Sequence, residues 1–331
     1  MPDYEKELKT ALNAVEKACE LCVEAQRTLI SEESTAKNDR SPVTIADFGS
    51  QALVNTLLSA AFPEDKIIGE EESAILRHNK ILSDKVFALL HNRLSLQNAS
   101  QVYEAIDLGA GISDPSVFTD RYWTLDPIDG TRGFLRKDQY AVALALVEKG
   151  QAVLAVLGCP DFPLTETEKG GIFYALRGLG AFVRPMHGRG EQRLRVDRDT
   201  KAENARFCES VESAHADHDV HGQICKMAGF KAPPFRMDSQ AKYAAVAAGK
   251  ASVYLRLPRK KDYREKIWDH AAGALIVEEA GGKVSDFSGN PLDFSRGRTL
   301  ESNTGILVSN GLLHDAVLHA VQEIRVTGQI P

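Results

Sequence analysis

Residues 123–135 read Trp-Thr-Leu-Asp-Pro-Ile-Asp-Gly-Thr-Arg-Gly-Phe-Leu, and the rest of the chain is read outward from them. Asp126 and Asp129 stand three apart with a proline between them. Pro127 fixes one backbone torsion, so the two carboxylates sit on a stiffened turn. Gly130 permits a sharp bend, and Thr131 then reads as a helix start. A helix start offers free N–H groups that suit a phosphate. Oxygen ligands beside such an end describe a Mg²⁺-phosphate site. An Asp-rich surface turn would explain the stretch equally well if it stood alone.

Two further acidic segments weigh against that. Ile67-Ile68-Gly69-Glu70-Glu71-Glu72 reads as a strand ended by glycine, with three carboxylates projecting from its end. Their mutual repulsion is costly unless solvent or a cation intervenes. In Trp268-Asp269-His270-Ala271-Ala272-Gly273, Asp269 stands where a helix N-cap belongs, before an apolar run closed by Gly281 and Gly282. Capping is its ordinary role, and capping is compatible with reaching a metal.

The chain has 331 residues, a net charge of −6 and 43% hydrophobic residues, enough for one large or two ordinary domains. Its acidic balance argues against a nucleic-acid polymer as partner. No apolar run approaches the roughly 18 residues that span a membrane. The N-terminus, Met1 to Glu7, lacks the apolar core of a signal peptide. Five scattered cysteines suit a reducing compartment, and the expected location is cytoplasmic. Cys19 and Cys22 have a CxxC spacing but lie on a helical stripe with Leu8, Leu12, Val15 and Leu29, so they read as buried helix residues.

Residues 4–30 carry helical periodicity, and Ser41–Ile45 reads as a connector into a second helix with Asp47 near its start. Residues 84–98 read as another helix and 102–121 as loop. Two hairpins are expected, 140–147 with 151–158 and 171–176 with 181–184. The polar stretch 185–204 is the expected boundary between an α+β domain, 1–200, and an α/β domain, 201–331. In the second, strands near 206–209, 251–256 and 305–309 alternate with helices near 217–227, 239–249, 269–280 and 311–325.

The ordered series Gly-Glu-Glu, Asp-Pro-Ile-Asp-Gly-Thr and Trp-Asp-His-Ala-Ala-Gly resembles the lithium-sensitive, Mg²⁺-dependent inositol monophosphatase superfamily. The segments Asp129 to Arg136, Asp238-Ser239-Gln240-Ala241-Lys242-Tyr243 and Val253 to Pro258 are similar to those of its 3′(2′),5′-bisphosphate nucleotidases. The resemblance runs from about Ser41 to Asn310. It implies a layered αβαβα sandwich, an α+β domain followed by an α/β domain, with the active site between them. It also implies metal ligation by Glu70, Asp126, the Ile128 carbonyl and Asp129, with Asp269 completing a further site, for two or three Mg²⁺ ions in all. Asp47 and Thr131 would orient and deprotonate the attacking water. A helix-start position favoured by the dipole is the ordinary account of Asp47, and an N-cap that of Thr131. Inhibition by Li⁺, and by Na⁺, is implied as well.

Substrate contacts carried over by the same resemblance are Gly130, Thr131, His215, Ser239, Lys242, Arg256 and Asp269. Arg256 to Lys266 holds six basic residues against Asp262 and Glu265, and local basic charge steers a bisphosphate despite an acidic whole. His218 and His270 read as structural. The implied reaction removes the 3′-phosphate of adenosine 3′,5′-bisphosphate to give AMP, with 3′-phosphoadenosine 5′-phosphosulfate as a further substrate and a place in sulfur assimilation and salt tolerance. The expected partner is therefore a small-molecule bisphosphate, acted on by a monomer. An inositol phosphatase is the alternative enzyme; a non-catalytic metal- or nucleotide-binding sensor is the alternative of another class. The Gly133-Phe134-Leu135 continuation and the Asp-Ser-Gln-Ala-Lys segment disfavour the first, and retention of both Asp47 and Thr131 disfavours the second.

Overall fold

The computed structural model describes residues 4–32, 41–110, 114–211, 218–258, 260 and 262–328. Two long helices open the chain, α1 (Glu5–Glu32) and α2 (Ser41–Ala61). The apolar stripe of α1 packs inward as its periodicity requires, and Cys19 and Cys22 are wholly buried in it as free thiols. The expected connector 41–45 is instead the first turn of α2. Pro42 sits at the second helical position, where its missing N–H has no intrahelical partner to lose.

A first sheet follows: β1 (Lys66–Gly69), then, after α3 (Ala74–His78), α4 (Lys80–Leu94) and α5 (Ala99–Asp107), β2 (Arg121–Asp129). The short helix α6 (Thr131–Arg136) leads into β3 (Ala141–Glu148), β4 (Gln151–Pro163), β5 (Lys169–Leu176), β6 (Gly180–Pro185) and β7 (Gln192–Arg193). Neighbours in the sheet follow chain order, and β1 with β2 is its one parallel pair. Both expected hairpins are present as β3–β4 and β5–β6. Part of the expected loop 102–121 is helical. Asn98 caps α5 by accepting from the Gln101 N–H at 3.2 Å, and Asn79 caps α4 by accepting from Leu82 at 3.1 Å, which starts that helix earlier than expected.

The second sheet comes from the later residues: β8 (Phe207–Glu209), α7 (His218–Ala228), β9 (Phe235–Arg236), α8 (Ala241–Ala247), β10 (Val253–Arg256), α9 (Ala271–Glu279), β11 (Lys283–Ser285), β12 (Ile306–Ser309) and α10 (His314–Val326). Its strand order is β11-β12-β10-β8-β9. The short strands β9 and β11 leave no mark in the sequence; at two and three residues they carry no periodicity to read.

Packing stacks these elements in five layers. Along β3, Val142, Leu144 and Leu146 face a core shared with α1 and α2, while Ala141, Ala143, Ala145 and Val147 face one shared with α8 and α9. Both faces of the strand are covered, so its run is apolar throughout rather than alternating. Beyond α8 and α9 lies the second sheet, whose outer face packs on α7 and α10 through Phe207, Val253, Leu307, Val317 and Val321. The order is α–β–α–β–α, the expected sandwich. Alanine and glycine dominate α8 and the start of α9, which lets one helical layer serve two sheets.

Close approach also governs α1 against the first sheet. A Cβ on Gly158 of β4 would lie 2.3 Å from Cys19 Sγ and 2.8 Å from Val15 Cγ1. Gly158→Ala should therefore force α1 outward and destabilise the fold by about 1–3 kcal/mol, as overpacking does. Thermal unfolding measures this, with Cys19→Ala, which removes the clashing atom, in the same chain as the partial rescue.

Candidate active site

The site is assembled where strand ends meet helix starts. Because β1 and β2 are parallel with Gly69 opposite Leu125, Glu70 leaves the sheet beside Asp126. Past Asp126 the pairing slips: Asp126 faces Ala143 and Asp129 faces Ala141, so Pro127 and Ile128 bulge out of the ladder. Ser50 Oγ on α2 donates to the freed Pro127 carbonyl at 3.0 Å, fixing the bulge against that helix. One turn earlier on α2, Asp47 is buried at 6% exposure.

Gly130 then turns the chain at φ +90, a conformation that favours glycine. A Cβ there would come within 2.9 Å of Ser239 Cβ, so the turn carrying Asp129 and the segment carrying Ser239 touch directly. Gly130 is the N-cap of α6, and Thr131 is its first helical residue rather than the cap, exposed to solvent. Ser239 itself takes φ +63, aiming the Gln240 N–H at Asp129 Oδ2, 2.6 Å away.

A cavity of about 220 Å³ opens at this junction. Glu70, Asp126, Ile128, Asp129, Gly130, Thr131, Ser239, Lys242, Arg256 and Asp269 all line it. Of the expected site residues described, only Asp47 is not in the lining, and no hydrogen bond joins it to Thr131 among the described residues. His215 lies outside the described residues, and so does the side chain of His218.

The cavity has an acidic side and a basic side. Burial raises the pKa of Asp47, with Glu71 and Glu70 pushing it further; burial and then Glu70, Asp129, Asp269 and Asp47 do the same to Asp126. Partial desolvation at the cavity wall and the neighbouring charges of Glu71 and Asp129 raise Glu70 to about 7, although the residue as a whole is exposed, and burial with Asp129 raises Asp269 to about 7. Glu70 and Asp126 come within hydrogen-bonding reach of each other, which two carboxylates tolerate only with a proton or a cation between them. Asp126 Oδ1 is buried with no hydrogen-bond partner. An orphaned carboxylate oxygen within a mutually repelling oxygen set fits a hard divalent cation.

On the basic side, Lys242 is 4% exposed, with Nζ 5.2 Å from the centre of the Tyr254 ring. Burial lowers its pKa, and Asp129 opposes that. Arg256 is held by Glu265 at 3.2 Å; Glu265 accepts from His270 Nε2 at 3.4 Å, and His270 Nδ1 meets the Tyr243 hydroxyl at 2.6 Å. The ligand atoms of Glu265, Asp269 and His270 lie within 4.8 Å of one another. Two of these three are committed to the Arg256 support, so Asp269 is the one free to face the acidic side. The structural reading of His270 agrees with this network.

Asp269 departs from expectation in one respect. His270 occupies the N-cap position of α9, and no side chain of its own caps that helix; Gln240 Oε1 accepts from the Gly273 N–H instead, at 3.1 Å. Gln240 had no assigned role in the sequence reading, although its place between Ser239 and Lys242 in a recognised segment was a usable signal.

The inositol monophosphatase family model matches residues 3–325. The chain is 45% identical over 319 residues to the 3′(2′),5′-bisphosphate nucleotidase of Dictyostelium discoideum, covering 95% of each. It is 42% identical to that of Oryza sativa, covering 97% of this chain and 94% of the relative. Among solved structures, an inositol monophosphatase from Zymomonas mobilis superimposes with a TM-score of 0.64 at 19% identity, covering 97% of this chain and 100% of that one. The inositol monophosphatase of Anabaena gives 0.61 at 20%, covering 100% and 98%. These structural likenesses bear on the fold.

The carboxylate set carries a pH signature. Groups whose folded pKa lies above the unfolded value stabilise the protein while protonated, and that stability is lost as pH rises through the folded pKa, about 7 for Glu70 and Asp269. A divalent cation reverses the loss. The rise in melting temperature on replacing chelator with saturating Mg²⁺ should be larger near about pH 8 than near about pH 5.5. An equal rise at both, by scanning fluorimetry, would remove the carboxylates from the metal site.

Proposed function

The chain belongs to the inositol monophosphatase family, and we propose that it is a Mg²⁺-dependent 3′(2′),5′-bisphosphate nucleotidase that hydrolyses adenosine 3′,5′-bisphosphate to AMP and phosphate. One observation carries the reading beyond the relatives' names: a single cavity joins the carboxylates of Glu70, Asp126, Asp129 and Asp269 to the cations of Lys242 and Arg256. A molecule with one phosphate to cleave and a second to anchor matches that division. The family's general dependence on a metal agrees with it.

Glu70, Asp126, the Ile128 carbonyl, Asp129 and Asp269 would hold the Mg²⁺ ions. When bound, Mg²⁺ supplies charge neutralisation at phosphorus and eases ionisation of water. Asp47, buried on α2 behind the cavity, is the residue the family resemblance assigns to take the proton of the attacking water. The Thr131 hydroxyl orients that water. The free N–H groups at the start of α6 face the cleaved phosphate. Ser239, Lys242 and Arg256 bind the remaining phosphate and sugar, and Glu265 keeps the Arg256 guanidinium extended toward it. Most of the acceleration comes from positioning and charge, since phosphoryl transfer needs little covalent help. We extend the reading to 3′-phosphoadenosine 5′-phosphosulfate, which offers the same anionic groups, to a monomeric cytoplasmic enzyme, and to a role in sulfur assimilation.

Phosphate release from nucleotide and inositol bisphosphates, with and without Mg²⁺, tests this. The expected result is Mg²⁺-dependent turnover highest on adenosine 3′,5′-bisphosphate; release no greater than a metal-free blank would defeat it. In the same assay LiCl should inhibit where KCl at equal ionic strength does not, because carboxylates sized for Mg²⁺ also accept Li⁺ at half the charge.

Lys242→Met keeps the buried stem and removes the charge. The kcat/KM for the bisphosphate nucleotide should fall by roughly 1.5–3 kcal/mol more than that for inositol 1-phosphate. Equal losses on both substrates would separate Lys242 from the uncleaved phosphate.

A further inference from the structure

We propose that Gln240 is the positioning residue that ties the two halves of the metal site together, and that by capping α9 it frees Asp269 for the cation. This rests on the metal-dependent reading above and deepens it. Besides the bonds its carbonyl accepts at the start of α8, three hydrogen bonds tie Gln240 to the segments around Asp129, Trp268 and Gly273. Its backbone N–H donates to Asp129 Oδ2 at 2.6 Å. Its side-chain Nε2 donates to the Trp268 carbonyl at 2.9 Å, one residue before Asp269. Its Oε1 accepts from the Gly273 N–H in the first turn of α9 at 3.1 Å. The residue is 1% exposed, so none of these bonds is shared with bulk water.

The third bond is the informative one. Helix starts leave N–H groups without intrahelical partners, and a polar residue just before the helix ordinarily takes one of them. Here Asp269 and His270 are the residues so placed. His270 is committed on both ring nitrogens, to Tyr243 and Glu265. Gln240 reaches across from α8 and satisfies the Gly273 amide instead. Asp269 makes no hydrogen bond among the described residues, and its carboxylate is free to ligate. Without Gln240, the unsatisfied amide becomes the nearest donor for an acid at the helix start, in competition with the cation.

The same side chain fixes distance. Asp129 belongs to the first sheet and Asp269 to the segment entering α9, and both hydrogen-bond or adjoin groups held by one planar amide and its own backbone. A ligand supported in this way typically loses about 10–100-fold in metal affinity when the support is removed.

Calorimetric titration of the purified, metal-stripped full-length protein with Mn²⁺ tests the proposal, with melting temperature in chelator as the control for folding. Gln240→Met keeps length and volume but neither side-chain bond. The weaker Mn²⁺ binding event should weaken by about tenfold or more while the tighter event shifts by less than about threefold. Adding the same change to Asp269→Asn should produce little further loss, because the residue acts through Asp269. Where the Met variant fails to fold, Gln240→Asn decides: the same amide, one methylene shorter, cannot span Trp268 and Gly273 together and should weaken the same event. Wild-type affinity in a folded variant, or an equal loss in both events, overturns the proposal. Wild-type protein that takes up no Mn²⁺ overturns the metal-dependent reading and this inference with it.

Discussion

Repulsion between carboxylates gathered at one junction is the constraint on which the rest of this molecule depends. Glu70 and Asp126 are brought side by side by the parallel pairing of β1 with β2; Glu71 and Asp129 push the Glu70 pKa up, and Glu70, Asp129 and Asp269 push that of Asp126. A fold does not gather such groups by packing alone; Asp126 at 2% exposure and Asp47 at 6% are desolvated against their own preference, while Glu70 keeps contact with solvent. The scaffold meets that cost with a large apolar core on both faces of the first sheet. The basic side follows from the same constraint. Lys242 is buried with Asp129 as the first charge favouring its protonated form, so the cation and the acid each lower the other's penalty.

Much of this was legible in the residues because the motifs mark special backbone. The bulge at Pro127 and Ile128 is written in the proline, and the left-handed turn at Gly130 in the glycine. The hairpins announced themselves through turn residues between apolar runs, and the alternation after residue 205 gave the second sheet. Two failures have a common origin. The connector before Asp47 and the loop after residue 102 are helical because of end effects: a tolerated proline in a first turn, and asparagine caps on α4 and α5. Periodicity weighs helix interiors and is weak at helix ends.

The capping of α9 was misread for a different reason. Local sequence offers Asp269 as a cap, and no local rule identifies a side chain from 33 positions away as its substitute. The Arg256–Glu265–His270–Tyr243 chain has the same character: each link crosses between elements, and only the folded chain brings them together. His215 stands apart, since it falls outside the described residues.

The middle layer has a mechanical consequence. One continuous apolar cluster runs from Ala143 and Leu157 of the first sheet, through Tyr243 and Leu275 of the central helices, to Ile306 and Val308 of the second. A crevice between lobes joined by a thin waist opens by swinging the lobes apart. Here any such swing would tear hydrocarbon contacts across the full width of the protein. Traffic into and out of the cavity is thereby left to side chains and surface loops at its rim, and the charges on its floor are seated on a scaffold with no hinge between them.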